Sequence, residues 1–370
     1  MLAATRRERI LNLARREGSV GIADLVAELG FSRVTIRRDL DVLSEQGMLQ
    51  KVRGGAMLPT GPHQPAAPVD QVLIGMLIPS AYYFRHVVDG ARTVTSERGG
   101  TVRLVTSGYE PSAEPQLVGE LLRSGVDGLM LVPSFDLDES QPGWQDYLRT
   151  LAVPTVLIER EPPPTELATL STVRSGHERG VAAALTHLKN LGHRRIALIS
   201  RVFSQTGSFV QRGYRQAVAD LGLDEDVPVI VGTDPATVRP GLTPEGPDIV
   251  LDQLVANRVT AVLCHGDEDA LALSQCAQAR NRAVPGELSI VSYNDEVAAL
   301  GDPPLTAVAP PKERVGVVAA RLLFDLLEPD SDRTPMHVQI DPRLIIRGST
   351  AVPVDSSDDR MRGSVSHRYG

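Results

Sequence analysis

The sequence predicts an α/β protein in which a small N-terminal winged helix-turn-helix precedes a two-lobed body built on parallel sheets. Two observations predict this architecture. Residues 5–58 carry three short helical patterns separated by glycines, followed by a basic, glycine-containing hairpin. From Val72 onward, short continuous apolar runs alternate with longer amphipathic segments, which is typical of parallel strands covered by helices on both faces.

The N-terminal segment predicts a tight helix-turn-helix. Thr5 and Glu8 form a capping box for a first helix, and a second amphipathic helix should end at Gly30. Only Phe31 separates that glycine from Ser32, whose side-chain oxygen can accept from a free backbone N–H of the next helix. The second and third helices should therefore meet at a short turn.

The third helix predicts a nucleic-acid interface. Ile36, Leu40 and Leu43 recur at helical spacing and should form its buried stripe. After it, Met48–Val52 and Ala56–Leu58 should form two short strands of a basic wing. Basic and hydroxyl side chains on the helix and the wing suit phosphates and base edges. The candidate DNA-binding residues are Ser32, Arg33, Thr35, Arg37, Arg38, Lys51 and Arg53.

The pattern S-x-x-T-I-R-R-D-L from Ser32, followed by G-G-A, resembles the winged helix-turn-helix of DeoR-type bacterial transcription regulators over nearly all of residues 5–58. The resemblance implies that the third helix enters the major groove of a double-stranded DNA operator. Arg33 and Thr35 would then lie near bases, and the other basic side chains near phosphates. The alternative is a helical head with a merely solvated basic face, which would not need the glycine turn and the wing.

Composition and charge set broad limits. The 370 residues are 42% hydrophobic and carry a net charge of −8, with a basic head and an acidic body, so a polyanion should be attracted only to the head. No run of about 18 apolar residues occurs and the N-terminus is charged, which predicts a cytoplasmic protein without membrane contact. Cys264 and Cys276 predict buried thiols.

A proline-rich stretch at residues 59–71 separates head and body. Four prolines favour an extended spacer and disfavour a helix. Such a linker can be a simple tether, or it can carry a regulatory signal by changing how two heads are spaced.

The body shows a second resemblance. Ile74–Pro79, Leu191–Ile199, Leu288–Asp295 and Pro342–Thr350 are similar to segments of the effector-binding core of lactose-repressor (LacI/GalR) regulators, which are related to periplasmic sugar-binding proteins. The similarity spans residues 72–350 and implies a homodimer. It also implies lobe 1 from 72–160 plus 296–327, lobe 2 from 161–294 plus 328–350, and chain crossings near Ile158, near Asn294 and after Leu327. Residues 351–370 should be a disordered tail.

The effector site should lie between the lobes, beyond the carboxyl ends of the strands. Aromatic rings there would cover sugar ring faces, while amide and carboxylate groups bind hydroxyls. Val210 and Asn294 depart from the arginine and aspartate usual in the family, so Arg212 either replaces the missing guanidinium or faces solvent. The positions carried over from the resemblance are Tyr83, Phe84, Ser134, Glu159, Arg201, Gln205, Arg212, His265, Asp267 and Asn294.

These features predict a ligand-responsive transcription regulator, a repressor of carbohydrate-metabolism genes released by a sugar-like effector. Alternatives with the same architecture use a purine, nucleoside or sugar-phosphate effector, or activate transcription; a sugar-binding protein without a DNA role is the alternative from another class. No hydrolase, nucleotide-binding or zinc-protease motif occurs, so we expect no catalytic residues, cofactor or metal. The acidic stretch after His265 fits a helix N-terminus better than a metal site.

Overall fold

The computed structural model describes residues 6, 7, 9–11, 13, 14, 19–45, 48–52, 55–57, 71–134, 142–161, 170–201, 205–232, 246–329, 331 and 333–354. The chain divides into two compact units, Met1–Gln71 and Val72–Gly370. The predicted capping box at Thr5 and Glu8, almost all of the linker and the tail from residue 355 lie outside the described residues.

The first unit is the predicted winged helix-turn-helix. Helix α1 is described at residues 6, 7, 9–11, 13 and 14, and is followed by α2 (Ile22–Leu29) and α3 (Arg33–Glu45). Gly30 ends α2 with a φ of 71°, and its N–H donates to Val26 O at 3.1 Å. Glycine adopts this left-handed conformation without steric cost, which lets the chain turn directly into α3.

The wing has three antiparallel strands: β1 (Ser19–Gly21), β2 (Gln50–Val52) and β3 (Gly55–Met57), in the order β1-β3-β2. The sequence predicted only the last two. A Cβ on Gly55 would lie 2.1 Å from the backbone oxygen of Val20, so glycine is required where β3 approaches β1. Ile10, Leu25, Ile36, Leu40, Leu43 and Leu49 form the buried core beneath the helices and the wing.

The second unit contains two parallel-stranded lobes. Lobe 1 holds β4 (Leu73–Ile78), β5 (Thr101–Thr106), β6 (Gly128–Leu131), β7 (Thr155–Ile158), β8 (Ser171–Ser175) and β14 (His337–Ile340). They pair in the order β14-β8-β7-β6-β4-β5, all parallel. Its helices are α4 (Ala81–Glu97), α5 (Glu114–Arg123), α6 (Pro142–Arg149) and α11 (Lys312–Leu327).

Lobe 2 holds β9 (Ile196–Arg201), β10 (Val229–Gly232), β11 (Ala261–Cys264), β12 (Ser289–Tyr293), β13 (Thr306–Ala309) and β15 (Arg343–Ile345). Their order is β10-β9-β11-β12-β13-β15, and only β13 and β15 pair antiparallel. Its helices are α7 (His177–Asn190), α8 (Gln205–Leu221), α9 (Gly246–Ala256) and α10 (Asp267–Ala279). Short 3₁₀ turns lie at Pro111–Ala113, before α5 of lobe 1, and at Ala298–Leu300, before β13 of lobe 2. No described helix has the length and apolar character needed to span a membrane.

The predicted lobe boundaries are wrong by about one strand at each crossing. β8 pairs with β7 and β14 pairs with β8, so both belong to lobe 1, whereas β13 pairs with β12 in lobe 2. The chain therefore crosses after β8, between β13 and α11, and between β14 and β15. The boundaries came from the resemblance to lactose-repressor regulators, and no apolar run marks β8, since its buried segment STVRS contains only one aliphatic residue.

Two helices of lobe 1 pack with their backbones in contact. A Cβ on Gly316 of α11 would lie 1.9 Å from Val87 O of α4, and a Cβ on Gly90 of α4 would lie 2.1 Å from Glu313 O. No side chain fits at either crossing point. The pair of glycines thus fixes how closely α4 and α11 approach over the lobe 1 sheet.

Ala351, the first residue of the predicted tail, is hydrogen-bonded to lobe 2. The N–H of Ala351 donates to Ser289 Oγ at 3.1 Å, and the imidazole of His193 bonds the Ala351 carbonyl at 2.8 Å. Because these bonds join Ala351 to β12 and the turn before β9, residue 351 is part of lobe 2. Cys264 and Cys276 are buried and unbridged.

Candidate functional site

The solvent-facing side of α3 is the candidate DNA interface. Arg33, Arg37 and Arg38 are exposed, whereas Ile36, Leu40 and Leu43 on the opposite side are at most 2% exposed. The cationic groups therefore project from the side that does not pack on the head. Guanidinium groups at this density suit phosphates and the base edges of the major groove.

Ser32 caps α3, as the sequence predicts. Its Oγ accepts from the backbone N–H of Thr35 at 3.2 Å and lies 2.9 Å from Thr35 Oγ1. The two hydroxyls are thus occupied with each other and with the helix end. Lys51 lies on β2, but its side chain and the whole of Arg53 are outside the described part of the chain.

Asp39, on the buried side of α3, holds this helix in place, and the sequence did not indicate this role. Asp39 is 3% exposed, and its carboxylate pairs with the guanidinium groups of Arg6, at a short contact, and Arg7, at 3.1 Å. Arg6 also lies 4.6 Å above the ring of Phe31. These contacts join α1 to the turn and to α3, so they hold the recognition surface in place.

In the second unit, a buried polar chain crosses between the lobes. Glu159, at the end of β7, accepts from the N–H and Oγ of Ser175 at 3.0 and 2.7 Å and lies 3.0 Å from His177 Nε2. The other ring nitrogen of His177 lies 2.8 Å from the hydroxyl of Tyr293 on β12. Burial would raise the pKa of Glu159, but the charge and hydrogen bond of His177 and the bonds from Ser175 outweigh it and hold this pKa below its usual value.

A charged cluster flanks this chain. Arg174 of β8 and Arg212 of α8 share Glu161 and Glu178, with the Arg174–Glu178 and Arg212–Glu161 contacts at 2.8 and 2.9 Å. Burial opposes ionisation of Glu178, but the two guanidinium groups lower its pKa to about 2. Both also lie over the ring of Phe209, at 4.4 and 5.1 Å. Arg212 therefore bridges the lobes through carboxylates, while its side chain stays 58% exposed.

Three of the predicted effector residues carry buried polar atoms without a hydrogen-bond partner in the described structure: Tyr83 Oη, Ser134 Oγ and Asn294 Oδ1. They follow β4, β6 and β12, at the carboxyl ends of strands of both lobes. Lys312 connects two of them, since its Nζ donates to Asn294 O at 2.6 Å and lies 5.0 Å from the Tyr83 ring centroid. Burial and the charge of Glu159 raise the pKa of Tyr83 well above its usual value, which keeps its hydroxyl protonated.

The remaining predicted residues divide between packing and the cleft. Phe84 is buried in the lobe 1 core, with its ring edge-on to Tyr83 at 4.9 Å. His265 meets the edge of Tyr293 at 5.8 Å, and Gln205 accepts from the N–H of Glu161 at 3.2 Å. Arg201 ends β9, and its side chain is outside the described part of the chain.

Asp267 has a structural task in this conformation. Its carboxylate accepts from the backbone N–H groups of Glu296 and Val297 at 2.5 and 2.8 Å and from Ser292 Oγ. It therefore fixes the turn that follows Asn294. Among the described residues, no group of histidine, cysteine and carboxylate side chains is arranged to hold a metal ion.

The lobes also meet at the mouth of the cleft. The hydroxyl of Tyr82, on the first turn of α4, donates to Glu268 Oε1 of α10 at 2.5 Å. A cavity of about 360 Å³ opens nearby, lined in part by Asn294 and by the start of α11. Five residues of this region were not predicted from the sequence: Tyr82, Arg174, His177, Tyr293 and Lys312. Three of them, Tyr82, Arg174 and Tyr293, lie at or just after the ends of strands, and this position could have indicated them.

Comparison with known proteins matches the two units separately. Residues 6–61 match the DeoR-like helix-turn-helix domain, and residues 185–350 match the periplasmic binding protein-like domain. An arabinose metabolism transcriptional repressor of Geobacillus stearothermophilus is 28% identical over 88% of this chain and 90% of its own length. The transcriptional regulator MalR of Streptomyces coelicolor is 27% identical over 89% of this chain and 96% of its own.

A solved structure of the transcriptional regulator CelR in complex with cellobiose is also similar. It superposes with a TM-score of 0.63 at 25% identity, covering 86% of this chain and 91% of CelR. The chain thus combines a DeoR-like helix-turn-helix domain with a periplasmic binding protein-like domain, as its sequence predicted.

Proposed function

We propose that this chain, a DeoR-like helix-turn-helix domain joined to a periplasmic binding protein-like domain, is a cytoplasmic transcription regulator. Its head binds an operator, and a sugar bound between the lobes releases the DNA. The observation that carries the proposal is the side of α3 that presents Arg33, Arg37 and Arg38 to solvent, opposite its buried stripe. Two relatives are arabinose metabolism transcriptional repressors, which supports repression of carbohydrate-metabolism genes.

DNA binding is tested with the full chain and DNA from upstream of neighbouring genes. Arg38→Ala should weaken binding to all sequences and reduce the dependence of affinity on salt, because one phosphate contact is lost. Arg92→Ala, which removes an exposed arginine of α4 in the body, is the matched control and should leave affinity unchanged. Equal affinities of the Arg38 variant and the unchanged protein at several salt concentrations would contradict the proposal.

A neutral carbohydrate is the proposed effector. The cleft offers the buried hydroxyls of Tyr83 and Ser134 and the amide of Asn294, which suit sugar hydroxyls, and leaving such atoms unpaired is costly. Two nearby guanidinium groups, those of Arg174 and Arg212, already pair with carboxylates, so they are poorly placed to bind a phosphate. The cellobiose bound in CelR supports the same class of ligand.

The effector is tested by a thermal-shift screen of the full chain with sugars, sugar phosphates and nucleosides. A ligand that binds only the folded state raises the melting temperature. We expect a neutral sugar to do so and to release DNA, and Asn294→Ala to abolish both responses while operator affinity persists. Asn257→Ala, in the loop after α9, is the control. A response only to phosphorylated sugars or nucleosides would refute the proposed class.

A homodimer formed through the body is part of the proposal. Leu300 and Ile346 are 79% and 62% exposed. Ile346 directly follows β15, the edge strand of the lobe 2 sheet, and Leu300 ends the 3₁₀ turn that precedes β13, the strand that pairs with β15. Large apolar side chains this exposed favour a protein interface here. Leu300→Asp should therefore shift the full chain toward monomer in sedimentation, and an unchanged dimer would exclude this surface.

A further inference from the structure

One apolar side chain on α3 faces solvent. Val34, on the first turn of the helix, is 78% exposed, whereas Ile36, Leu40 and Leu43 are at most 2% exposed. It is also the most exposed of the large hydrophobic side chains described in the head, ahead of Met48 at 46% and Val52 at 43%. The head's core therefore does not explain why a valine occupies this position.

Helix geometry places Val34 at the centre of the exposed side. Successive residues of an α-helix are about 100° apart, so Val34 points about 180° from Leu43 and about 160° from Ile36. Arg37 and Arg38 lie one turn further along, about 60° and 40° to either side of Val34. Val34 therefore points away from the buried stripe, between two exposed guanidinium groups.

The local chemistry gives Val34 no other task. A β-branched residue is not favoured in a helix, so helix propensity does not select it. The hydroxyls on either side are engaged in the N-cap, because Thr35 bonds Ser32 through its N–H and its side chain. At the centre of the surface the chain thus presents two methyl groups and no hydrogen-bonding atom.

We propose that Val34 is a specificity-determining residue that contacts the C5 methyl group of a thymine in the major groove. Each base pair presents a distinct edge there, and thymine alone among the four standard bases carries a methyl group on that edge. Arg37 and Arg38 position the helix on the backbone, and Val34 reads one base by apolar contact. This inference rests on the proposed DNA-binding function and adds a base and the residue that recognises it.

The size of the effect follows from the group that is buried. One methyl-sized group removed from water contributes about 0.8 kcal/mol, which corresponds to about a fourfold change in affinity. Replacing thymine by uracil in the DNA deletes only that methyl group and keeps every hydrogen bond of the base pair. We therefore expect about fourfold weaker binding when the contacted thymine becomes uracil.

The experiment uses the full chain. Binding sites are first selected from random DNA, and each thymine of the selected site is then replaced singly by uracil. One thymine per half-site should show the fourfold loss. With Val34→Ala, which removes both γ-methyl groups, this loss should disappear while the salt dependence stays the same, and Val34→Thr, which keeps one γ-methyl group, should retain it. Val255→Ala, an exposed valine of α9, is the control and should leave the uracil profile unchanged.

A further comparison separates the methyl group from the rest of the base pair. At the sensitive position, 5-methylcytosine should bind more tightly than cytosine with the unchanged protein and equally with Val34→Ala. A uracil profile without a sensitive thymine, or one identical in the Val34→Ala variant, would overturn the assignment while leaving DNA binding intact. Failure to select any DNA would instead overturn the proposed function, and the role of Val34 with it.

Discussion

Removal of the Asp39 carboxylate should abolish DNA binding while the body stays folded and still responds to its effector. Asp39 lies on the buried side of α3, where its side chain is 4% exposed and pairs with Arg6, which is 10% exposed, and with Arg7. An Asp39→Ala variant would leave the Arg6 guanidinium buried without its carboxylate. Breaking a buried ion pair from one side costs about 3–5 kcal/mol, because the remaining charge stays desolvated.

That loss is large compared with the stability of a unit of this size. Small domains have little core and are stabilised by only about 5 kcal/mol or less. Because Arg6 also stacks on Phe31 in the turn before α3, loss of the pair should loosen α1, the turn and α3 together. We expect the head of the Asp39→Ala variant to unfold at or near room temperature while the body, a separate compact unit, stays folded.

Calorimetry of the full chain and a DNA-binding assay test this reasoning together. The variant should lose the transition of the head, lose operator binding, and keep the thermal shift produced by the effector. Asp24→Ala, which removes an exposed carboxylate from the first turn of α2, is the control and should cost less than about 1 kcal/mol. Full operator affinity in the Asp39 variant would refute the clamp, and loss of the body's transition as well would show that the two units do not fold separately.

Three other perturbations follow from the body. Gly316→Ala should destabilise the body by about 1–3 kcal/mol or more in urea unfolding, because the new Cβ would lie 1.9 Å from Val87 O. The control is Gly119→Ala on α5, whose new Cβ would meet only the end of Arg123, and it should be neutral or stabilising. Burial lowers the pKa of His193 below 6.5, so the folded state favours the neutral ring. The resulting contribution to the free energy of unfolding is present above pH 6.5 and is lost as pH falls below that value. His193→Gln should therefore make the free energy of unfolding depend less on pH below 6.5. Tyr82→Phe removes the hydrogen bond across the cleft mouth and should raise the effector dissociation rate two- to fivefold, about 0.5–1 kcal/mol, in stopped-flow measurements; an unchanged rate would exclude a closing role for this bond.

Local sequence signals were sufficient for the head and for most strands of the body. The glycine that ends α2, the cap at Ser32 and the stripe Ile36, Leu40 and Leu43 all act within one or two helical turns, so the sequence carries them directly. Continuous apolar runs likewise predicted the central parallel strands. The strand β8 was missed because its polar side chains are buried by tertiary pairing, and β14 because it is half exposed at the sheet edge.

The polar chain between the lobes could not be predicted for a related reason. Glu159 and His177 are 18 residues apart, and Tyr293 is another 116 residues away, so no periodicity joins them. The resemblance to lactose-repressor relatives indicated Glu159 by position, but not that Ser175 and His177 occupy its oxygens. Arg212 was left between two alternatives, and its ion pairs with Glu161 and Glu178 became visible only once β8 and α8 were adjacent.

Backbone strain is an independent physical argument for the location of the proposed effector site. Glu159 has a φ of 52°, Asn294 of 109° and Asp295 of 54°, values that residues with a side chain rarely adopt. Such conformations cost about 1–3 kcal/mol each and persist where surrounding contacts hold them, most often at binding sites. Here the contacts are the bonds from Ser175 and His177 to Glu159, the Lys312 bond to the Asn294 carbonyl, and the pairing of Asp295 with Arg347. A ligand that bonds Asn294 would act on a segment that is already strained and lies close to the crossing from β13 to α11, so a small change there can move one lobe relative to the other.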